Sequence, residues 1–190
     1  IRKAMAEREQ RELLSGVIEM DETYIGGKPR KGNSGSSGQD GGNKSTRGRG
    51  TKKTPVVGML ERGGRVKTQV VKKADLTAKK LSALVRRHVD TANSTLLTDE
   101  YQGYVGIKKF MEHRTVNHAI CYVAEDGTNT NSIEGFWALV KRGIVGQYHH
   151  VTVRYLPRYL DEFGYRFDHR KSDAGTLFGK TLARAVGANA

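Results

Sequence analysis

The sequence predicts one mixed α/β domain, in which a sheet that begins with a hairpin gains further strands through helical crossovers. Apolar and alternating runs typical of strands dominate the first part of the chain, outside one polar segment. Helical periodicity alternates with short apolar runs in the remainder. The length of 190 residues is enough for one such domain with a substantial core. We expect that domain over 16–171, with a helix over 1–15 before it and a C-terminal tail over 172–190.

The first segments of the chain predict a helix, a strand, a polar loop and a hairpin. The helix opens on Ile1 in what reads as its middle, which indicates the end of an upstream region, and it should end near Gly16. VIEMDETYIGG then alternates in the manner of a strand and carries Asp21. Residues 28–54 are rich in Gly and Ser with almost no apolar content, so we expect a mobile basic loop. Two apolar runs around a Gly-Gly pair predict a hairpin over 55–71.

The later segments predict alternating helices and strands. ADLTAKKLSALVRRHV is a helix whose buried face is formed by Leu81, Leu84, Val85 and Val89. STLLT is a strand that runs into Asp99, and a short helix near GIKKFM and a strand near HRTVNHA follow it. The remaining helices cover 130–143 and 156–170. This order of elements is that of the ribonuclease-H-like fold, a mixed five-stranded sheet flanked by helices.

Charge is the strongest compositional signal. The formal net charge is +13, and residues 28–53 hold eight Lys or Arg against one Asp. Such an excess predicts a polyanionic partner, of which nucleic acid is the commonest. The basic residues expected to contact DNA are Lys28, Arg30, Lys31, Lys44, Arg47, Arg49, Lys52, Lys53 and Arg142.

Composition also excludes several classes of protein. No window approaches a membrane-spanning apolar run, and the charged first segment does not resemble a signal peptide. The single cysteine, Cys121, excludes an internal disulfide or a cysteine-rich zinc site within this chain. We therefore expect a protein of a reducing cytoplasm, with neither a membrane nor a small-molecule substrate as its partner.

Three acidic residues are candidates for metal-dependent chemistry. Asp21 lies in the first strand, Asp99 ends the fourth, and Glu134 lies in the first turn of a helix. In the predicted sheet the two strands are neighbours, so both aspartates can meet at one edge. Hard carboxylate oxygens suit Mg²⁺, and two ions roughly 3.5–4 Å apart can support an in-line phosphoryl displacement. Carboxylates at this density repel one another, so without metal the site would be under electrostatic strain.

The helix TNSIEGFWALVKRG has two faces of different chemistry. The chain's only tryptophan, Trp137, belongs to the apolar face, whereas Asn131, Glu134 and Lys141 share the other. Lys141 lies seven positions after Glu134, two helical turns, so it can contact a DNA phosphate near the metals.

Four segments resemble the insertion-sequence DDE transposases, specifically the ISXO2-like transposase domain. The resemblance runs from about Gly16 to Arg170 and rests on DETYIGGK, LLTDEYQGY, NSIEGFWALVKRGIVGQYHH and YLDEFGYRF. It implies a retroviral-integrase-like domain that cleaves DNA at transposon ends and joins the 3′-hydroxyl to target DNA. It also implies a homo-oligomer on DNA in a nucleoid-associated, bacterial-type cytoplasmic setting.

The resemblance also assigns roles to individual residues. Asp21 and Asp99 match the first two catalytic carboxylates, Glu134 the third by its spacing of 35 positions from Asp99, and Lys141 the basic residue that follows. It implies two Mg²⁺ or Mn²⁺ ions held by the three carboxylates. Related elements use Asn as the third ligand, and Asn131 occupies that position. We prefer Glu134 because a neutral amide holds a metal more weakly.

Two other functions are consistent with the sequence. A structure-selective nuclease would use the same fold and metals without strand transfer. A non-catalytic, transposon-derived DNA-binding module would need only the basic surface. The three acidic residues argue against the second, because binding alone gains from the loss of negative charge near phosphate.

Overall fold

A computed structural model of the chain describes residues 1–6, 12–26, 53–116 and 130–187. Within these residues the strands are β1 (Leu14–Ile25), β2 (Thr54–Glu61), β3 (Val66–Val70), β4 (Val89–Thr98) and β5 (Glu112–Thr115). The α-helices are α1 (Arg2–Ala6), α2 (Ala78–His88), α3 (Asn131–Gly143), α4 (Leu156–Asp168) and α5 (Ala174–Ala185). A 3₁₀ helix covers Gln102–Lys109, and a π-helical turn extends α3 over Ile144–Tyr148.

The strands form one mixed sheet in the order β3-β2-β1-β4-β5. β1, β2 and β3 pair antiparallel, while β4 pairs parallel with β1 and β5 pairs parallel with β4. A tight turn suffices between β2 and β3, whereas the parallel pairs need crossovers, which α2 and the 3₁₀ helix provide. The mixed α/β, ribonuclease-H-like architecture expected from the sequence is confirmed.

Side chains of β1 alternate between two apolar cores, one on each face of the sheet. On one face Ile18 and Met20 belong to a buried cluster with Val85 of α2. On the other face Ile25 belongs to a cluster with Trp137 of α3, to which α4 also contributes. The central strand is therefore covered by helices on both sides, with α3 and α4 on the face of Ile25.

The N-terminal boundary differs from the expectation. α1 ends at Ala6 and β1 already begins at Leu14, so the first helix does not extend to Gly16. Gly16 instead lies within β1 at φ +79°, where the register against β4 shifts. The glycine interpreted as a helix stop is thus the glycine of a β-bulge, which needs a positive φ.

Two further boundaries differ as well. The expected C-terminal tail over 172–190 contains α5, whose first turn is capped by Asp173. The Asp173 carboxylate accepts a hydrogen bond of 2.9 Å from the Thr176 amide. The fifth strand, expected near 113–119, spans Glu112–Thr115, and 117–129 lie outside the described residues.

α3 approaches the sheet closely at one glycine. A Cβ atom on Gly58 of β2 would lie 2.4 Å from Cζ2 of Trp137 and 3.1 Å from Cδ1 of Ile133. The indole therefore lies directly on the β2 backbone, in space that any larger residue would fill. Gly58 is also the partner of Asp21 in the β1–β2 register. The packing that fixes α3 is consequently adjacent to the first candidate acid.

Replacing this glycine should destabilise the fold. We expect Gly58→Ala to lower the free energy of unfolding by about 1–3 kcal/mol, because the indole must move off a strand backbone that cannot yield. Gly135→Ala is the matched control, since a Cβ there would have no heavy atom within 4 Å. In the α3 interior that control should gain up to about 1 kcal/mol from helix propensity. Chemical denaturation measures both, and equal stabilities of the two variants would contradict the packing described here.

Candidate active site

The parallel pairing of β1 and β4 places two aspartates side by side. The final pair of the register is Glu19 with Leu97. Asp21 lies two residues beyond it on one strand and Asp99 two residues beyond it on the other. Both side chains are partly buried. The structure thus brings the two aspartates to the same edge of the sheet.

The pKa of Asp21 is raised by its surroundings. Burial raises it from the ordinary value of 3.8 to about 7. The negative charges of Glu22, Asp99 and Glu134 add to this rise, and the amide of Glu22 partly opposes it. All three carboxylates predicted from the sequence therefore interact across the space between β1, β4 and α3.

Local hydrogen bonds orient both aspartates. The amide of Glu22 donates to Oδ1 of Asp21 at 2.7 Å. The amide of Tyr101 donates to Oδ1 of Asp99 at 3.1 Å, an Asx turn that ends β4. In each case the amide occupies one carboxylate oxygen.

α3 has the two faces that its sequence predicts. Ile133, Trp137 and Val140 are buried, whereas Asn131 and Glu134 are exposed. Lys141 is exposed as well. Asn131 and Glu134 both lie in the first turn of α3, at its N-terminal end.

Glu19 is a buried acid that the sequence reasoning missed. It is fully buried in β1, and its Oε2 accepts a hydrogen bond of 2.9 Å from the Ile133 amide in the first turn of α3. Its Oε1 forms an ion pair of 2.7 Å with Nε of Arg62, in the turn after β2. This carboxylate holds the start of α3 against β1, one position before Glu134. The alternation in VIEMDET gave no signal of it, because a polar residue in a strand usually marks a solvated position.

Glu22 and Tyr104 form a second contact that the sequence did not reveal. Oη of Tyr104 donates to Oε2 of Glu22 at 2.7 Å. Glu22 reads from the sequence as a solvated neighbour of Asp21, and Tyr104 as simple aromatic packing. The two residues lie 82 positions apart, so no local pattern could have paired them.

Most of the chain matches a known protein family. The sequence profile of the ISXO2-like transposase domain, a family of DDE transposases, matches residues 13–168. The chain belongs to this family. The resemblance inferred from the four sequence segments is thereby confirmed. None of the curated proteins compared with the chain matches it.

Solved structures of Mos1 transposase are similar to this transposase domain. A paired-end complex with the left transposon end shares 16% identity at a TM-score of 0.48, covering 96% of this chain and 61% of that one. A pre-cleavage transpososome shares 15% at 0.47, covering 98% and 60%. A strand transfer complex shares 14% at 0.45, covering 96% and 57%. The transposase domain thus spans about three fifths of the length of these chains.

The donor chemistry of the three candidate acids suits a divalent cation. Asp21, Asp99 and Glu134 offer hard oxygen ligands, and their mutual repulsion is the kind that a cation relieves. In the described part of the chain, however, no three His, Cys, Asp or Glu side chains are gathered closely enough to hold an ion as they stand. Asp99 and Glu134 act on the pKa of Asp21, but the three carboxylates would have to lie closer together to hold one ion.

The predicted DNA contacts are only partly described. Lys53 and Arg142 are exposed. The other seven basic residues, between 28 and 52, lie outside the described residues, as does Cys121. Among the described helices, none has the length and apolarity needed to cross a membrane.

The pKa of Asp21 leads to a prediction about pH. Because the folded state holds this proton more tightly than the unfolded state, stability should fall as pH rises from about 4 to above 7. Asp21→Asn removes that loss, so the variant should be more stable than the parent at pH 8 by a few kcal/mol, on the order of 1.4 per pKa unit. Near pH 3 the two should be equal.

Partly exposed Asp90 provides the control. Its pKa is lowered by a hydrogen bond from the Asn93 side chain, so Asp90→Asn should show no gain at pH 8. Denaturation at several pH values without divalent ions, with NMR titration of the Asp21 carboxyl, measures both. A carboxyl midpoint near 4 for Asp21 would contradict the burial and repulsion described.

Proposed function

We propose that this transposase domain is the catalytic domain of a DDE transposase, which cleaves DNA at transposon ends and joins the new 3′-hydroxyl to target DNA. The single observation that supports it most is that Asp21 and Asp99 each lie two residues beyond the last register pair of β1 and β4, beside the first turn of α3, in a chain of this family. A cluster of carboxylates whose charges raise the pKa of Asp21 is unfavourable in a purely structural domain. It is what phosphoryl transfer assisted by divalent ions requires.

In this proposal Asp21, Asp99 and Glu134 hold two Mg²⁺ or Mn²⁺ ions, with Asn131 as the alternative third ligand. When bound, such ions activate a water or hydroxyl and stabilise the leaving oxygen. The protein's own contribution is to position the ligands. The parallel register of β1 and β4 places the two aspartates at equivalent positions. The contact between Glu19 and the Ile133 amide positions the first turn of α3 against β1.

The proposal also assigns the polyanionic partner. Lys141 and Arg142 are exposed at the C-terminal end of α3, two turns beyond Glu134, where they can meet phosphates of DNA bound at the acidic edge. The basic segment 28–53 would add affinity that depends on salt. Action on paired transposon ends further implies a homo-oligomer on DNA.

Asp99→Asn tests the assignment. We expect cleavage supported by Mg²⁺ to fall by at least about 10³-fold, while DNA affinity stays equal or rises because a negative charge is lost. Asp90→Asn is the control on the same strand, partly exposed and at the opposite end of β4. Cleavage and DNA-binding assays on both variants measure these outcomes, and undiminished cleavage by Asp99→Asn would refute the assignment.

The third ligand is decided by comparing Glu134→Ala with Asn131→Ala. Because a charged carboxylate binds a hard cation more strongly than a neutral amide, we expect the larger loss of Mn²⁺-supported strand transfer from Glu134→Ala. The reverse order would make Asn131 the ligand. The same assay separates the other functions: cleavage without joined product indicates a nuclease, and binding without ion-dependent cleavage indicates a DNA-binding module.

A further inference from the structure

The sheet stops holding β1 and β4 together before it reaches the candidate acids. The register between the two strands ends at the pair of Glu19 and Leu97, and Asp21 and Asp99 lie beyond that pair. Their separation therefore depends on contacts other than the parallel ladder. One such contact is the hydrogen bond of 2.7 Å from Tyr104 to Glu22, which joins the chain just after Asp21 to the 3₁₀ helix that follows Asp99.

We propose that Tyr104 is a positioning residue for the candidate acids: by hydrogen-bonding Glu22, it fixes the distance between Asp21 and Asp99 and so sets the affinity of the site for divalent ions. This inference rests on the proposed function, since it concerns the same acids. It adds to that function a residue that would touch neither ion nor DNA.

Tyr104 is held firmly enough for this role. Its side chain is 1% exposed and packs edge-on against Tyr101, with ring centroids 5.5 Å apart. Between them Gly103 leaves no spare room, since a Cβ there would lie 2.4 Å from the Tyr101 ring and 2.9 Å from Leu81. Tyr101 is anchored in turn, because its hydroxyl donates to the Leu76 carbonyl at 2.8 Å. The donor of the contact is therefore part of the core.

The hydroxyl of Tyr104 also stays protonated around neutral pH and so remains a hydrogen-bond donor. Burial, with the charge of Glu22 and its hydrogen bond, raises the pKa of Tyr104 well above its ordinary value. Glu22 alternates with Asp21 along β1, so its side chain leaves the sheet on the opposite face. The contact thus restrains β1 from the side of the sheet opposite to the one that α3 covers.

Tyr104→Phe tests the inference against Tyr165→Phe. The control removes the same atom from a tyrosine that is 3% exposed and hydrogen-bonded to Thr181, away from the acids. Calorimetric titration with Mn²⁺ alone should show a dissociation constant raised about tenfold in Tyr104→Phe, the scale of one hydrogen bond to a charged group. The control should change it less than about twofold. Cleavage by Tyr104→Phe should be largely restored at saturating ion, which a general loss of folding would not allow.

A second pair of variants approaches the contact from its other end. Glu22→Gln loses the charge but keeps an oxygen that can accept from Tyr104, whereas Glu22→Ala loses both. We expect Glu22→Ala to weaken Mn²⁺ binding several-fold more than Glu22→Gln. Equal binding by these two, or equal shifts in Tyr104→Phe and Tyr165→Phe, would overturn the positioning role.

Asp99→Asn, titrated alongside, separates this inference from the proposed function. If the parent binds Mn²⁺ and Asp99→Asn does not, the acids are the ion site, and the tyrosine variants then decide the positioning role alone. If Asp99→Asn binds Mn²⁺ as well as the parent does, the proposed ion site is wrong and the inference falls with it.

Discussion

The buried carboxylate of Glu19 is the interaction on which the arrangement of this domain depends. An acid with no exposed surface is tolerated only when its charge is compensated, and here the compensation comes from two other elements. Arg62, in the turn after β2, supplies the opposite charge. The Ile133 amide supplies a hydrogen bond from the N-terminal turn of α3, where the helix dipole also favours a negative charge. One side chain thus ties the central strand, the hairpin and the helix that carries Glu134.

Trp137 secures the same helix one turn further on. Its indole lies against the β2 backbone at Gly58, so α3 is held by a polar contact at its start and by close packing in its middle. Both contacts lie on the Asp21 side of the sheet, and Gly58 is the direct partner of Asp21. Burial is the largest cause of the raised pKa of Asp21.

Much of this arrangement could be predicted from local patterns. The periodicity of α3 gave its buried face, and the apolar run before Asp99 placed that residue at a strand end. Patterns fail where a contact joins distant segments. Nothing near Glu19 shows that it meets the Ile133 amide, 114 positions away. A glycine such as Gly16 is as typical of a helix end as of a β-bulge. Asn131 and Glu134 share a helical turn, so neither periodicity nor the fold decides which of these two residues is the third ligand.

Glu19 and Asp21 show why the same residue type takes two roles on one strand. They are two positions apart and face the same side of the sheet, where α3 covers both. Glu19 is neutralised by an arginine and hydrogen-bonded by a helix amide, so its charge stabilises the fold. Among the described residues, Asp21 has only the neighbouring Glu22 amide, and the charges that act on its pKa are all negative. A structural acid comes with its counter-charge, as Glu19 does. Asp21 lies beside two other acids without one among the described residues, and in the proposed function a divalent cation would supply it. That difference separates the candidate site from its scaffold.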